Sequence, residues 1–144
     1  PLVEYSAAVW DPTSAKSIHQ LEMIQRRAAR FVLNRYHYTS SVDDMLKELE
    51  WPTLRQRRED MRLTMMYKLH NNVVPFPTET YVTPVTGPTR SVHSGGYQVP
   101  FSRLEDHKQS FFPRTVRDWN ALPASTASAP STDAFRRHLM ESRG

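Results

Sequence analysis

Apolar positions three and four residues apart predict a long helix near the start of the chain, from Ser14 or Ser17 to Tyr36. At about 100° per residue they fall on one arc, with basic side chains opposite. The predicted buried arc comprises Ile18, Leu21, Ile24, Gln25, Ala28, Phe31 and Val32. Residues 2–10 are typical of the end of an earlier helix, closed by Asp11-Pro12 because a residue before proline is pushed out of the helical region. We therefore expect the chain to be part of a longer one.

Two more helices are predicted between residues 40 and 72. Ser40 and Ser41 are N-cap candidates for a short amphipathic helix that ends at Trp51-Pro52. Thr53, with Gln56 three residues later, has the spacing of a capping box and predicts a helix over residues 54–71. Because apolar side chains cover more than one face of its second half, we expect that half to be buried on several sides.

Residues 73–110 have a different composition from the rest of the chain. They contain five of the 11 prolines, three of the four glycines and many Thr and Ser residues. Because a structureless connection of this length is uncommon inside a compact domain, the segment is either a disordered or loosely packed linker, which its composition favours, or a functional loop.

Helical patterning returns at Phe111. Pro113 fits a first helical position, and Ser131 caps a last helix that carries Phe135 and Leu139 on one side. The pattern thus predicts a mainly α fold with three regions. These are a small helical bundle over residues 1–72, a Pro/Ser/Thr-rich irregular segment over residues 73–110, and two short C-terminal helices over residues 111–144.

The amino-acid composition and the absence of several motifs exclude many kinds of functional site. Without cysteine, the chain cannot form disulfides, zinc knuckles or cysteine nucleophiles. It also has no Gly-rich phosphate loop, no nucleophile-elbow motif and no histidine pair at a helical metal-ligand spacing. No run approaches the roughly 20 apolar residues that a membrane span requires, so no membrane partner is expected. We predict no catalytic residue, metal site or cofactor in this chain.

Asp43 and Asp44 are adjacent acids of the kind that polymerases use to hold two catalytic metals. Here they follow two serines and continue into the sequence MLKEL, which is helical rather than strand-like. We therefore interpret them as first-turn acids of a capped helix.

The net charge of +4 is modest, but 15 of the 19 basic residues are arginines. Arginine suits bidentate phosphate contacts and stacking better than lysine does. Most of the basic excess lies between residues 14 and 72. A solvated surface with intrahelical ion pairs would explain the same charges.

Four motifs resemble the region after the palm in reverse transcriptases of non-LTR (LINE-type) retrotransposons. The first is LVEYSAAVWDP at residues 2–12, and the second is IHQLEMIQRRAARF at residues 18–31. The third is Trp51-Pro-Thr-Leu54 with Arg57-Arg58, and the fourth combines SFFPR at residues 110–114 with WNALP at residues 119–123. Their order along the chain strengthens the resemblance, which covers nearly all of it.

The resemblance implies a thumb-like helical region followed by a C-terminal extension. In such polymerases the thumb packs against the template-primer duplex of RNA and DNA. The palm and fingers, with their acidic pair and Mg²⁺, would lie upstream and be partners within the same polyprotein, so the chain alone would not polymerise. A nuclear location is also implied.

Together with the charge pattern, the resemblance makes the arginines candidate phosphate contacts. The first set is Arg26, Arg27 and Arg30, and the second is Arg55, Arg58 and Arg62. Arg58 and Arg62 flank an apolar stripe and could instead be structural. A helical protein-interaction or scaffolding module without nucleic-acid binding remains the alternative function.

Overall fold

The protein is described here by a computed structural model covering Pro12, residues 14–87 and 92–101, Arg103, Leu104, Lys108 and residues 110–143. Within these residues the regular secondary structure is helical, and an isolated antiparallel β-bridge joins Pro84 and Tyr97. The predicted mainly α character is confirmed. The helices are α1 (Ala15–Leu33), α2 (Val42–Glu48), α3 (Leu54–His70), a 3₁₀ helix (Thr78–Thr80), α4 (Phe111–Asn120), α5 (Ala124–Ala127) and α6 (Thr132–Arg143).

The chain divides into two compact units, Pro1–Glu59 and Asp60–Gly144. We call them the N-terminal unit and the C-terminal unit. The boundary lies inside α3, whereas the sequence pattern placed the first division after residue 72. A change of composition therefore did not mark the structural boundary.

Helix α1 is capped at both ends by its own sequence. The hydroxyl of Ser14 accepts a hydrogen bond from the Ser17 backbone N–H at 3.2 Å. At the other end Asn34 adopts the left-handed conformation, with φ of 51°, and the Arg35 N–H donates to the Arg30 carbonyl at 3.1 Å. The helix consequently stops at Leu33, three residues before the predicted end at Tyr36.

The core of the N-terminal unit lies where α1 meets α2. Ser41 caps α2 by accepting the Asp44 backbone N–H at 3.3 Å, and Asp43 and Asp44 occupy the first helical turn, as the sequence predicted. The Trp51 side chain packs against this core at its edge. The buried members are Ala29, Val42, Met45 and Leu46, with Leu33 and Leu49 also packed against them.

The buried face of α1 is rotated from the arc that the hydrophobic pattern predicted. Gln25 and Ala29 are the residues of α1 that the structure buries. By contrast, Ile24 is 54% exposed, Phe31 76% and Val32 54%. Part of the predicted arc therefore forms an apolar stripe on the surface.

Side chains satisfy the first three backbone N–H groups of α3. Gln25 Oε1 accepts the N–H of Leu54 at 3.3 Å, and Gln25 Nε2 donates to the Pro52 carbonyl at 2.7 Å. Glu22 Oε1 accepts the next N–H, that of Arg55, at 2.6 Å. The Thr53 hydroxyl accepts the third, that of Gln56, at 3.2 Å, as the capping-box spacing predicted. Two residues of α1 thus help to fix the start of α3.

The second half of α3 is buried on several sides, as expected. Its buried residues pack into the core of the C-terminal unit, where the Tyr67 ring stacks on Phe135 at a centroid distance of 4.6 Å and its hydroxyl donates to the Ala129 carbonyl at 2.6 Å. The buried core comprises Leu63, Met66, Tyr67, Val82, Tyr97, Val116, Trp119, Ala127, Ala129, Phe135 and Leu139.

Described parts of the 73–110 segment belong to that core. Val82 and Tyr97 are buried in it, and the Trp119 indole N–H donates to the Gly95 carbonyl at 2.9 Å. The Asn120 side chain accepts the N–H of Tyr97 at 2.9 Å and donates to its carbonyl at 2.7 Å. These stretches are thus integrated rather than loosely packed, contrary to the alternative that composition favoured.

The C-terminal region contains three helices where the pattern predicted two. Helix α4 begins at Phe111, so Pro113 is its third residue and not its first. The missing N–H of proline is harmless at this position, because the N–H groups of the first helical turn have no intrahelical acceptors. The additional helix is α5, within the small-residue linker. Ser131 caps α6 by accepting the Ala134 N–H at 3.1 Å, as predicted, and Phe135 and Leu139 are buried.

Two tryptophans have packing roles in the described residues. Trp119 is completely buried in the C-terminal unit, and Trp51 packs at the edge of the N-terminal core. Trp10 and the first motif up to Asp11 lie outside the described residues.

Candidate nucleic-acid interface

Helix α1 places Arg26, Arg27 and Arg30 together on an arc that is separate from its buried residues Gln25 and Ala29 and that adjoins Phe31 of the apolar stripe. At about 100° per residue these arginines span roughly a quarter of the helix circumference. Arg26 forms an ion pair with Asp43 of α2, with 3.3 Å between Nη2 and Oδ1, and both side chains are largely exposed. Exposed pairs of this kind contribute at most about 1 kcal/mol, so Arg26 can exchange Asp43 for another anion at little cost.

Arg27 and Arg30 differ from Arg26 in having no protein partner among the described residues. Arg27 is exposed, and Arg30 is half-buried, with a buried Nε that makes no hydrogen bond within the described structure. A buried donor without an acceptor costs free energy.

Arg55 is exposed at the start of α3. Its backbone N–H donates to Glu22, which places the residue beside α1 within the N-terminal unit. An exposed arginine thus lies on a segment that is held against the helix carrying Arg26, Arg27 and Arg30.

Arg58 and Arg62 are buried, each with about 5% or less of its surface exposed. In the N-terminal unit, Arg58 Nη2 lies 3.9 Å from Glu22 Oε1. In the C-terminal unit, Arg62 Nη1 lies 3.3 Å from Asp118 Oδ2. The structure thus favours the structural alternative for these two residues, and the candidate interface reduces to Arg26, Arg27, Arg30 and Arg55.

Acidic residues of α2 lie next to basic residues of the N-terminal unit, Asp43 beside Arg26 and Glu48 beside Arg35. Asp43 and Asp44 lie in the first turn of α2, and Glu48 pairs with Arg35 at 2.6 Å. Residues 14–59 nevertheless contain nine Lys and Arg against six Asp and Glu, a net charge of +3. The N-terminal unit therefore keeps a basic excess despite these acids.

The roles of Glu22 and Gln25 were not predicted from the sequence. For Gln25 the sequence contained a signal, a single glutamine within an otherwise apolar arc. A buried polar side chain needs hydrogen-bond partners, so this residue indicated a polar contact at the buried face. Gln25 has two, both at the start of α3, and Glu22 holds the next backbone N–H and lies beside Arg58. These residues position the interface rather than form it.

The C-terminal unit contains a separate polar site, where His70 Nδ1 and Tyr97 Oη lie 2.7 Å apart. Burial lowers the pKa of His70, and the nearby His93 lowers it further. Burial also raises the pKa of Tyr97, with a smaller contribution from Glu79. Both shifts favour the neutral forms, which suits a structural hydrogen bond.

Within the described ranges, no group of three or more His, Asp or Glu side chains is arranged to hold a metal ion. The described helices also include none that is both long and apolar enough to cross a membrane. Comparison of the chain with protein-family models, curated protein sequences and solved structures finds no significant match.

Proposed function

We propose that the chain is a non-catalytic C-terminal part of a retrotransposon RNA-directed DNA polymerase, and that it holds the template-primer through the arginines of α1. The four ordered sequence motifs support the family assignment. The observation that carries the binding role is the placement of Arg27 and Arg30 on one side of α1 without a protein partner among the described residues.

Such a surface suits a polymerase because it recognises the backbone and not the bases. Arginine contacts to phosphate are independent of sequence and release counterions, so affinity falls steeply as salt rises. Arg26 and Arg55 would add contacts at the edges of the surface. The acidic pair and the Mg²⁺ that it binds would belong to the upstream palm, which would also be a partner of this chain.

The test is the salt dependence of binding to an RNA–DNA duplex. Replacing Arg27 and Arg30 together by alanine should weaken binding and reduce the slope of log affinity against log salt by about 0.9 for each phosphate that the variant no longer neutralises. A matched control is the Arg136→Ala/Arg137→Ala variant, which removes the same charge from exposed positions of α6. If both variants shift the affinity and the slope equally, the α1 surface has no special role.

A second candidate function is a helical protein-interaction module. It is favoured by the apolar stripe on α1, where Ile24, Phe31 and Val32 are all more than half exposed. In that case binding to the duplex would be absent or as weak as for any protein of this charge.

A further inference from the structure

Three large aromatic side chains are exposed at the C-terminal end of α1. Phe31 is 76% exposed, Tyr36 61% and Tyr38 89%. Arg27 precedes Phe31 by one helical turn, so the ring and this cation are neighbours on the helix surface, and Arg30 is in turn a neighbour of Arg27 at the i,i+3 spacing. We call Phe31, Tyr36 and Tyr38 the aromatic end of α1.

The backbone that carries Tyr36 is held to the rest of the N-terminal unit. Asn34 reverses the chain in the left-handed conformation, and the Arg35 N–H donates to the Arg30 carbonyl. The Arg35 guanidinium donates to both carboxylate oxygens of Glu48, at 2.6 and 3.3 Å. The loop after α1 is therefore anchored to α2 on one side and to α1 on the other.

Tyr38 lies on a hydrogen-bonded turn. The Ser40 N–H donates to the His37 carbonyl at 3.0 Å, and the Thr39 N–H donates to His37 Nδ1 at 3.3 Å. The His37 and Tyr38 rings lie 4.6 Å apart between centroids at an interplanar angle of 30°. Because the turn is already ordered, a ligand that stacks on Tyr38 would lose little free energy to ordering it.

We propose that the aromatic end of α1, with Arg27 and Arg30, binds a single-stranded stretch of nucleic acid by stacking on its unpaired bases. Exposed aromatic rings beside cations are the features by which proteins bind single strands without reading sequence. Bases in a duplex already stack on each other, so a duplex offers these rings no unpaired base on which to stack. The inference rests on the proposed function and adds a ligand, the unpaired strand next to the duplex.

A protein partner is the competing occupant of these rings. The Ile24 and Val32 side chains of the apolar stripe would suit a protein partner. Contacts to these side chains would not provide an anion for Arg27 and Arg30. A nucleic-acid strand supplies a phosphate for each cation and a π face for each ring, and so accounts for both features together.

The experiment compares two fluorescent strands of the same length, about 12 nucleotides, within the usual site size of single-strand binders. One is an oligothymidylate, and the other is an abasic strand with the same phosphates and no bases. We also measure a blunt RNA–DNA duplex. The complete 144-residue chain is used, with its fold checked by circular dichroism.

The wild type should bind oligothymidylate more tightly than the abasic strand. The Tyr36→Ala/Tyr38→Ala variant should lose at least about 5-fold in affinity for oligothymidylate for each ring that stacks on a base. Its affinity for the abasic strand and the duplex, and its salt slope, should not change. Phe101→Ala is the matched control, because Phe101 is 85% exposed in the C-terminal unit.

Equal wild-type affinity for the two strands, or an unchanged affinity for oligothymidylate in the tyrosine variant, would overturn the inference. Salt-dependent duplex binding that is sensitive to Arg27 and Arg30 would in that case still support the proposed function. If the folded wild type binds none of the three probes, both the inference and the proposed function are wrong.

Discussion

The Glu22 carboxylate accepts a hydrogen bond from the Arg55 backbone N–H at 2.6 Å, which links the middle of α1 to the first turn of α3. An acid at this position also interacts favourably with the positive end of the helix dipole. The same oxygen lies 3.9 Å from the buried Arg58 guanidinium. One carboxylate thus acts on both the backbone and a buried side chain of α3.

We therefore expect Glu22→Ala to lower the free energy of unfolding by about 1–3 kcal/mol, since the variant loses a helix cap and leaves Arg58 without this partner. Urea unfolding followed by circular dichroism measures the change. Glu141→Ala, at an exposed position of α6, should stay within about 0.5 kcal/mol of the wild type. Equal effects of the two substitutions would mean that the cap contributes nothing.

Gln25→Leu tests the rotated face of α1. Hydrophobic patterning alone treats the change as harmless or stabilising, whereas the structure predicts a loss of about 1–3 kcal/mol, because the Pro52 carbonyl and the Leu54 N–H lose their partner. The complementary change, Ile24→Gln, occurs at an exposed position and should cost no more than about 0.5 kcal/mol. The reverse ranking in urea unfolding would show that the predicted arc is the buried face.

Asn120→Ala should loosen residues 95–98 selectively. The substitution removes both hydrogen bonds to the Tyr97 backbone and leaves those two groups without their partner, at a cost of about 1–3 kcal/mol. Amide hydrogen exchange should then be faster at Tyr97 than in the wild type. Arg117→Ala, on an exposed position of the same helix, should leave that exchange unchanged.

Stability should fall on both sides of neutral pH because of His70 and Tyr97. The ordinary pKa of 6.5 for His70 is lowered by folding, so below pH 6.5 the unfolded chain binds more protons and the free energy of unfolding decreases. The ordinary pKa of 10.0 for Tyr97 is raised, so above pH 10 the folded chain retains its proton longer and stability again decreases.

Urea midpoints measured across these pH ranges check both effects. His70→Asn should flatten the acid side of the profile, and Tyr97→Phe should flatten the alkaline side. His138→Asn provides a control at a histidine outside this hydrogen bond. If the urea midpoint of the wild type varied with pH as steeply as the midpoints of the two variants, His70 and Tyr97 would be excluded as the source of the pH dependence.

Local signals in the sequence predicted the helices well. Ser41, Thr53 and Ser131 cap the helices that they were expected to cap, because N-capping depends on residues within one turn. The end of α1 was missed because Asn34 takes the left-handed conformation, which the helical periodicity through Tyr36 concealed.

Contacts between distant residues were harder to predict. Tyr97 is buried through Asn120 and His70, partners more than 20 residues away, so the composition of its own segment could not reveal its packing. Similarly, the sequence left two roles open for Arg58, phosphate contact or structural residue, and its burial beside Glu22 favours the second. The candidate interface was therefore predictable as an arginine-rich helix face but not residue by residue.

The contacts of Glu22 and Gln25 with the start of α3 affect how this chain should be compared with its relatives. Glu22 and Gln25 belong to the second motif of the chain, LEMIQRRAARF, together with Arg26, Arg27 and Arg30. Selection to keep α3 in place would preserve the glutamate and the glutamine in a relative whether or not that relative binds nucleic acid. Evolutionary retention of the arginines, counted apart from Glu22 and Gln25, is therefore the pattern that would bear on the proposed binding function.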